Sequence, residues 1–170
     1  MRKTYVVLGA TLAAALAVAC SSTPLGPVSY VIDGGCPSLP VSLVVQSDGG
    51  TDVVLNGACN LGPAGAYTLS AALPITIGAC GAQAVSISAT WTQSSTAVLD
   101  STFSGVAVVG CSDAGLIDVP TIPISGTFTF ASGTGVFTDA TGSALTDGGV
   151  AVGQTAFGPA VLTMTGSLSY

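Results

Sequence analysis

From residue 28 to the carboxyl end, strand candidates follow one another, and in several of them apolar and polar residues alternate one by one. Val85, Ile87, Ala89 and Trp91 take one side of a run whose other side is Ser86, Ser88, Thr90 and Thr92. Phe128 and Phe130 alternate with Thr127 and Thr129. Leu162, Met164, Leu168 and Tyr170 alternate with Thr163, Thr165, Ser167 and Ser169. A period of two places one face of a strand in a core and the other in water, as in antiparallel sheets. Hydroxyls rather than charges make the wet face. Val41-Ser42-Leu43-Val44-Val45 and Asp52-Val53-Val54-Leu55 are shorter strand candidates. Turn residues punctuate the runs: Asp33-Gly34-Gly35, Asp48-Gly49-Gly50, Asn56-Gly57 and Asp147-Gly148-Gly149. Asp-Gly and Asn-Gly suit two-residue hairpin turns, whose central positions need positive φ. Short strands at regular spacing, with no helical pattern after residue 20, predict an all-β fold: an antiparallel barrel or, failing that, a β-sandwich.

The first twenty residues depart from this pattern. Arg2 and Lys3 precede an uncharged apolar run from Val6 to Val18, and small residues follow. That sequence of regions is an export signal. Leu16-Ala17-Val18-Ala19-Cys20 resembles the lipobox of bacterial lipoproteins, with Ala17 where lipoboxes prefer Leu. The resemblance implies that Cys20 is diacylated, palmitate-type chains included, then N-acylated as the first mature residue. A membrane-spanning helix needs about 20 apolar residues, and Ser21-Ser22-Thr23-Pro24 stops this run short. An ordinary secretory signal would leave Cys20 as an odd fifth cysteine in an exported chain. The expected organisation is a lipoprotein signal peptide over residues 1–19, a lipidated tether over 20–27 and one β-barrel domain over 28–170. Seven tether residues beyond Cys20 span at most about 25 Å. Ser21 after the acylated cysteine resembles the outer-membrane sorting signal, so the expected location is the cell envelope, at the outer membrane.

Charge narrows the partners. Arg2 and Lys3 are the only cations, there is no His, and all eight acidic residues are Asp. Past residue 19 nothing can neutralise phosphates, which excludes nucleic acid and a polybasic grip on anionic lipid. The membrane partner is then reached through the acyl chains alone. Hydrophobic residues make up 49% of the chain, enough for a core despite so little charge. Cys36, Cys59, Cys80 and Cys111 are an even set in an oxidising compartment and predict two disulfides. Three connectivities are open, of which Cys36–Cys59 with Cys80–Cys111 best suits a meander of hairpins. Zinc is disfavoured, because there is no C-x-x-C pair and no His.

Residues 124–170 carry a family resemblance. Ile-Ser-Gly-Thr-Phe-Thr-Phe leads to Gly133-Thr134-Gly135-Val136-Phe137-Thr138-Asp139-Ala140-Thr141-Gly142, and the chain closes on Thr165-Gly166-Ser167-Leu168-Ser169-Tyr170. This resembles the C-terminal half of the allene oxide cyclase barrel-like group, which includes dirigent proteins and exported bacterial proteins. Bacterial members show a Gly-Gly-Thr-Gly-Arg-Phe-Ala-Gly-Ala-Thr-Gly run and end in a Gly-x-Ile-Ser-Tyr strand. Here Ser132 replaces the first Gly, Val136 the Arg and Asp139 a small residue. The resemblance implies an eight-stranded calycin-like or dirigent-like barrel, trimeric as in plant members. Gly133, Thr134, Gly135, Phe137, Ala140, Thr141 and Gly142 then have structural roles: a tight reversal, a core plug and a second turn. Catalytic members use Glu, Arg or Asp and Asn in the lumen, and neither Glu nor Arg exists in this domain.

Little conventional chemistry remains. Without His or Lys no Ser or Cys has a base to activate it. No Asp sits in the Asp-Thr/Ser-Gly context of an aspartic-protease dyad. A glycosidase pair built from Asp is formally open, but these Asp mostly occupy turn contexts, where they bond their own backbone. Asp48-x-x-x-Asp52 and Asp113-x-x-x-x-Asp118 could supply oxygens to calcium, yet match no known loop. Asp100 and Asp118 come nearest to lying in an apolar strand. Trp91, Tyr67 and Phe103 could form a ligand platform, but at strand spacing they read as core. The expectation is no catalytic residue, no cofactor and no metal. Three functions survive: a non-enzymatic envelope domain with a neutral or apolar ligand or a structural role, a shape-directed lumen cyclase or dirigent-like protein, and a self-assembling surface subunit.

Overall fold

The computed structural model describes residues 26–47, 50–76, 79–112, 120–153 and 156–170. The expected signal, Cys20 and the tether up to residue 25 lie outside these residues, as do Asp48, Asp113 and Asp118. Nine strands follow: β1 (Ser29–Leu39), β2 (Val41–Val45), β3 (Thr51–Asn60), β4 (Ala66–Pro74), β5 (Gly81–Ser94), β6 (Ala97–Val109), β7 (Thr121–Gly133), β8 (Thr141–Val152) and β9 (Phe157–Ser169). They form one antiparallel sheet in the order β1-β9-β8-β7-β6-β5-β4-β3-β2. A β1–β3 pair at Gly35↔Asn60 closes it into an eight-stranded barrel with β2 as an extra strand. The fold is the all-β barrel expected from the alternation.

Closure depends on two glycines. Gly34 and Gly35 sit where β1 is pressed between β9 and β3. A Cβ on Gly34 would run into the Asn60 carbonyl, and one on Gly35 into the Leu162 carbonyl. Any larger residue would hold the two sides of the wall apart. Pro40, which has no N–H to give, then ends β1, and the chain continues as β2 against β3 only.

Three turn assignments need correcting. Asn56-Gly57 is not a hairpin turn: both residues lie inside β3, opposite Ser70 and Leu69 of β4. The reversal comes later, at a one-turn 3-10 helix, Gly62–Ala64, with Pro63 in its first turn. Asp33-Gly34-Gly35 and Asp147-Gly148-Gly149 also lie inside strands, flanking Thr163 of β9 from both sides. Their glycines serve close backbone approach rather than chain reversal.

Inward residues fill the barrel. Trp91, Phe103, Phe128, Phe130, Leu55, Leu69, Leu162 and Met164 are all buried. Rings run from one pole to the middle: Tyr30 stacks on Tyr170 at 4.9 Å, Tyr170 meets Phe137 at 4.7 Å, and Phe137 meets Tyr67 at 5.9 Å. Trp91 continues the column, edge-on to Phe128 at 5.1 Å and Phe130 at 5.9 Å. Trp91, Tyr67 and Phe103 are therefore core. Cys36 is bonded to Cys59 and Cys80 to Cys111, the connectivity that suits the meander. The first bridge is buried and ties β1 to β3 beside the closure point. Val28 and Tyr170 exchange backbone hydrogen bonds of 2.9 and 3.1 Å, which brings both ends of the domain to the ring-lined pole.

Candidate functional site

The lumen is the first place to look in a barrel of this size. Its residual void, among Leu55, Ala71, Leu73, Ile87, Phe103, Ile124, Phe128, Thr146 and Leu162, is about 10 Å³. That is room for about one water. Among the described residues, Ser101 and Thr146 are the buried Ser and Thr side chains. Ser101 Oγ accepts the Trp91 indole N–H at 2.9 Å and donates to the Ala89 carbonyl at 3.3 Å. Thr146 Oγ1 bonds back to the Ala144 carbonyl at 3.5 Å. Both hydroxyls are taken up by the scaffold.

Among the described residues no carboxylate points inward. Asp33, Asp100, Asp139 and Asp147 are exposed and Asp52 is half-buried. Asp33, Asp52, Asp100 and Asp147 belong to strands rather than turns, which corrects the reading of these Asp as mostly turn residues. They sit on the outer face, where alternation makes them neighbours of Ser and Thr. Asp100 lies at a register shift between Leu99 and Ser101 of β6, beside Thr90 of β5. It helps line an outer recess of about 330 Å³ with Ser88, Thr102 and Ala131. Among the described residues no three Cys or Asp side chains gather as metal ligands.

The outer wall also holds a groove of about 380 Å³, lined by Asp33, Asn60 and Thr163 over the Gly34–Gly35 backbone and the rim of Cys36. Its polar groups are one carboxylate, one amide and one hydroxyl, a set that can hydrogen-bond a small neutral molecule.

The 133–142 segment is architectural. Gly133 ends β7, and Gly135–Phe137 forms a one-turn 3-10 helix whose Gly135 has φ of +62°. Phe137 is wholly buried and plugs the pole, with Ala140 buried behind it. Thr134 binds this turn to the neighbouring one: its N–H donates to the Val98 carbonyl at 2.7 Å, and its Oγ1 accepts the Val98 N–H at 3.1 Å. Thr141 opens β8, and Gly142 passes close to the Ser167 carbonyl. Ser132 has φ of +67°, a conformation in which a glycine would be unstrained.

The tyrosines at the same pole are the perturbed groups. Tyr67 donates to the Ala64 carbonyl at 2.8 Å. Burial, with Tyr170 as its neighbour, pushes its hydroxyl far above the usual tyrosine range. Tyr170 is also raised, by burial first and then by Tyr30. Such phenols stay neutral at physiological pH and act as donors, not bases. Comparison with known proteins adds nothing to these observations. No family model, curated protein or solved structure matches this chain.

Proposed function

We propose that this is a lipid-anchored protein of the cell envelope, held through Cys20, whose barrel has a structural surface role rather than a catalytic one. The filled lumen carries the reading. Ligand sites usually enclose about 300–1,000 Å³, and the void between Leu55, Phe103, Phe128 and Leu162 offers about 10 Å³. A shape-directed cyclase or dirigent-like protein would need that volume inside the barrel. Kinship with the allene oxide cyclase barrel-like group is part of the proposal. It is supported by the eight-stranded closure and by the plug built from residues 133–142. The lipid anchor is supported by the lipobox-like sequence and by the pole at which residue 28 leaves the domain.

Membrane fractionation with mass measurement tests the reading. The wild-type protein should carry acyl mass on Cys20 and sediment with membranes, and Cys20→Ala should be soluble. A Cys20→Ala protein that stays membrane-bound through high salt and carbonate would overturn the anchor. Saturable quenching of Trp91 by an uncharged apolar compound would overturn the closed-lumen reading. One observation favours a second reading, a neutral ligand bound outside the barrel: the groove of about 380 Å³ over Gly34 and Gly35. A ligand there would be lost on Asn60→Leu with Trp91 emission unchanged.

A further inference from the structure

β2 has a strand on one side only. It pairs with β3 from Val41↔Leu55 to Val45↔Thr51. β9 is paired with β8 along its whole length and with β1 as far as Leu39↔Ala160; its first residues then come close to β2 but form no ladder with it, so the backbone groups on that side of β2 have no strand partner. The hydrogen-bond parity of this edge can be read from its ends. Gln46 N–H donates to the Gly50 carbonyl at 2.8 Å, and Asn56 N–H to the Pro40 carbonyl at 3.3 Å. Positions 46/50 and 40/56 are thus hydrogen-bonded pairs, and by alternation so are Val44/Asp52 and Ser42/Val54. The N–H and C=O groups of Val41, Leu43 and Val45 consequently point away from β3, toward the open side.

The side chains agree. Val41, Leu43 and Val45 share the face of buried Val53 and Leu55, yet Leu43 is 44% exposed and Val45 74%. No residue of β2 is charged. Among the described residues the nearest carboxylate, Asp52, is on the other face and accepts a hydrogen bond from Gln46. Natural edges are kept solitary by lysines, internal prolines or bulges, and β2 has none of these.

We propose that β2 is the docking edge for a second copy of this chain, paired antiparallel about a two-fold axis through Leu43. The edge is complementary to itself in that register. Leu43 meets the partner's Leu43, Val41 meets the partner's Val45, and each of these positions already directs its backbone groups outward. Three hydrogen-bonded pairs would supply about six bonds between chains. On the face of Leu43 apolar side chains of similar size meet, on the other face Ser42 meets the partner's Val44, and no like charges are opposed. Such a contact is isologous and closes at two copies, in place of the trimer implied by family resemblance. The strip is small beside a standard interface, so the dimer should be weak, with a dissociation constant at or above about 10 µM.

Sedimentation velocity on the full-length protein in detergent, from about 1 µM to 1 mM, should show a reversible monomer–dimer equilibrium. Leu43→Pro removes an N–H that faces outward, so β2–β3 bonding survives. This variant should keep the wild-type circular dichroism and melting temperature while its dissociation constant rises at least about tenfold. Val44→Pro, which loses an N–H directed at β3, should instead lower the melting temperature. Leu43→Cys should form a reducible covalent dimer, since opposed Cα atoms in such a pair lie about 5.5 Å apart. Val44→Cys, on the other face, should not. A wild-type protein that stays monomeric throughout, a trimer or open filament, a Leu43→Pro protein as dimeric as the wild type, or a Leu43→Cys protein that does not cross-link overturns the proposal.

Discussion

Replacing Ser101 by Ala should reveal how the barrel accommodates its one tryptophan. Trp91 is fully buried, and its indole N–H has Ser101 Oγ as its partner at 2.9 Å. The substitution deletes one oxygen, so little cavity forms, but the indole donor is left unpaired in a dry core. A buried donor without a partner costs about 1–3 kcal/mol. Taking about 2 kcal/mol, the melting temperature should fall by about 5–10 °C for a domain of this size. The 3.3 Å bond from Ser101 to the Ala89 carbonyl is also lost. That carbonyl belongs to a paired strand, so the second loss should be about 0.5 kcal/mol or less. The two effects separate in a Trp91→Phe background, where no N–H needs an acceptor. There Ser101→Ala should cost only the smaller amount, which leaves a coupling of about 1.5 kcal/mol. Urea unfolding by circular dichroism, with both disulfides intact, measures all four proteins. Tryptophan emission should remain blue-shifted in Ser101→Ala, because Phe128 and Phe130 still enclose the ring. Equal costs in the two backgrounds would refute the reasoning.

The disulfides should differ in a defined order. Their loops span 23 and 31 residues, which on chain entropy alone gives each about 3–4 kcal/mol. Cys36–Cys59 is buried while Cys80 is exposed, so removing the first pair as Ala should lower the urea midpoint further, and the reverse order would count against the loop-plus-packing account. Alkaline stability should depend on Tyr67, whose hydroxyl is raised above its ordinary 10.0 chiefly by burial. A raised folded-state value means that its stabilising effect is complete below about pH 10 and is lost as pH rises further. Tyr67→Phe should therefore cost about 1 kcal/mol at neutral pH, through the lost bond to Ala64, yet show a shallower decline in midpoint between about pH 9 and 12.

The alternation of Val85–Trp91 and Leu162–Tyr170 made the strands and their inward faces legible, because a period of two survives any tertiary arrangement. The pairing of Cys36 with Cys59 was legible only as a preference, since spacing limits a bridge without choosing it. Glycine pairs misled where they stood in for space rather than curvature. Asn56-Gly57 and Asp147-Gly148-Gly149 carry turn residues, yet their neighbours across the sheet hold them straight. No local signal distinguishes a glycine that bends from one that lets another backbone pass. Ser101 was also missed: in a Ser/Thr-rich strand nothing in composition marks the one hydroxyl that turns inward, although its place between Leu99 and Phe103 in the alternation could have found it. The filled lumen follows from how rings from seven separated segments meet, which no stretch of sequence states.

The bridge between Cys36 and Cys59 also has a mechanical meaning. A load applied at the amino terminus enters the domain through Val28 and β1, the strand nearest the expected anchor. Peeling can release only about eight residues, 28–35, an extension of about 28 Å at most. It then reaches a covalent stop at Cys36. Beyond that point the pull passes through sulfur into β3, which is hydrogen-bonded along its length to β4. A pull on the amino terminus is thus transferred from β1, which meets β3 at a single pair, to β3, which is bonded to β2 and β4 on either side. A reducing environment would remove that stop and let the barrel unwind from its amino-terminal end.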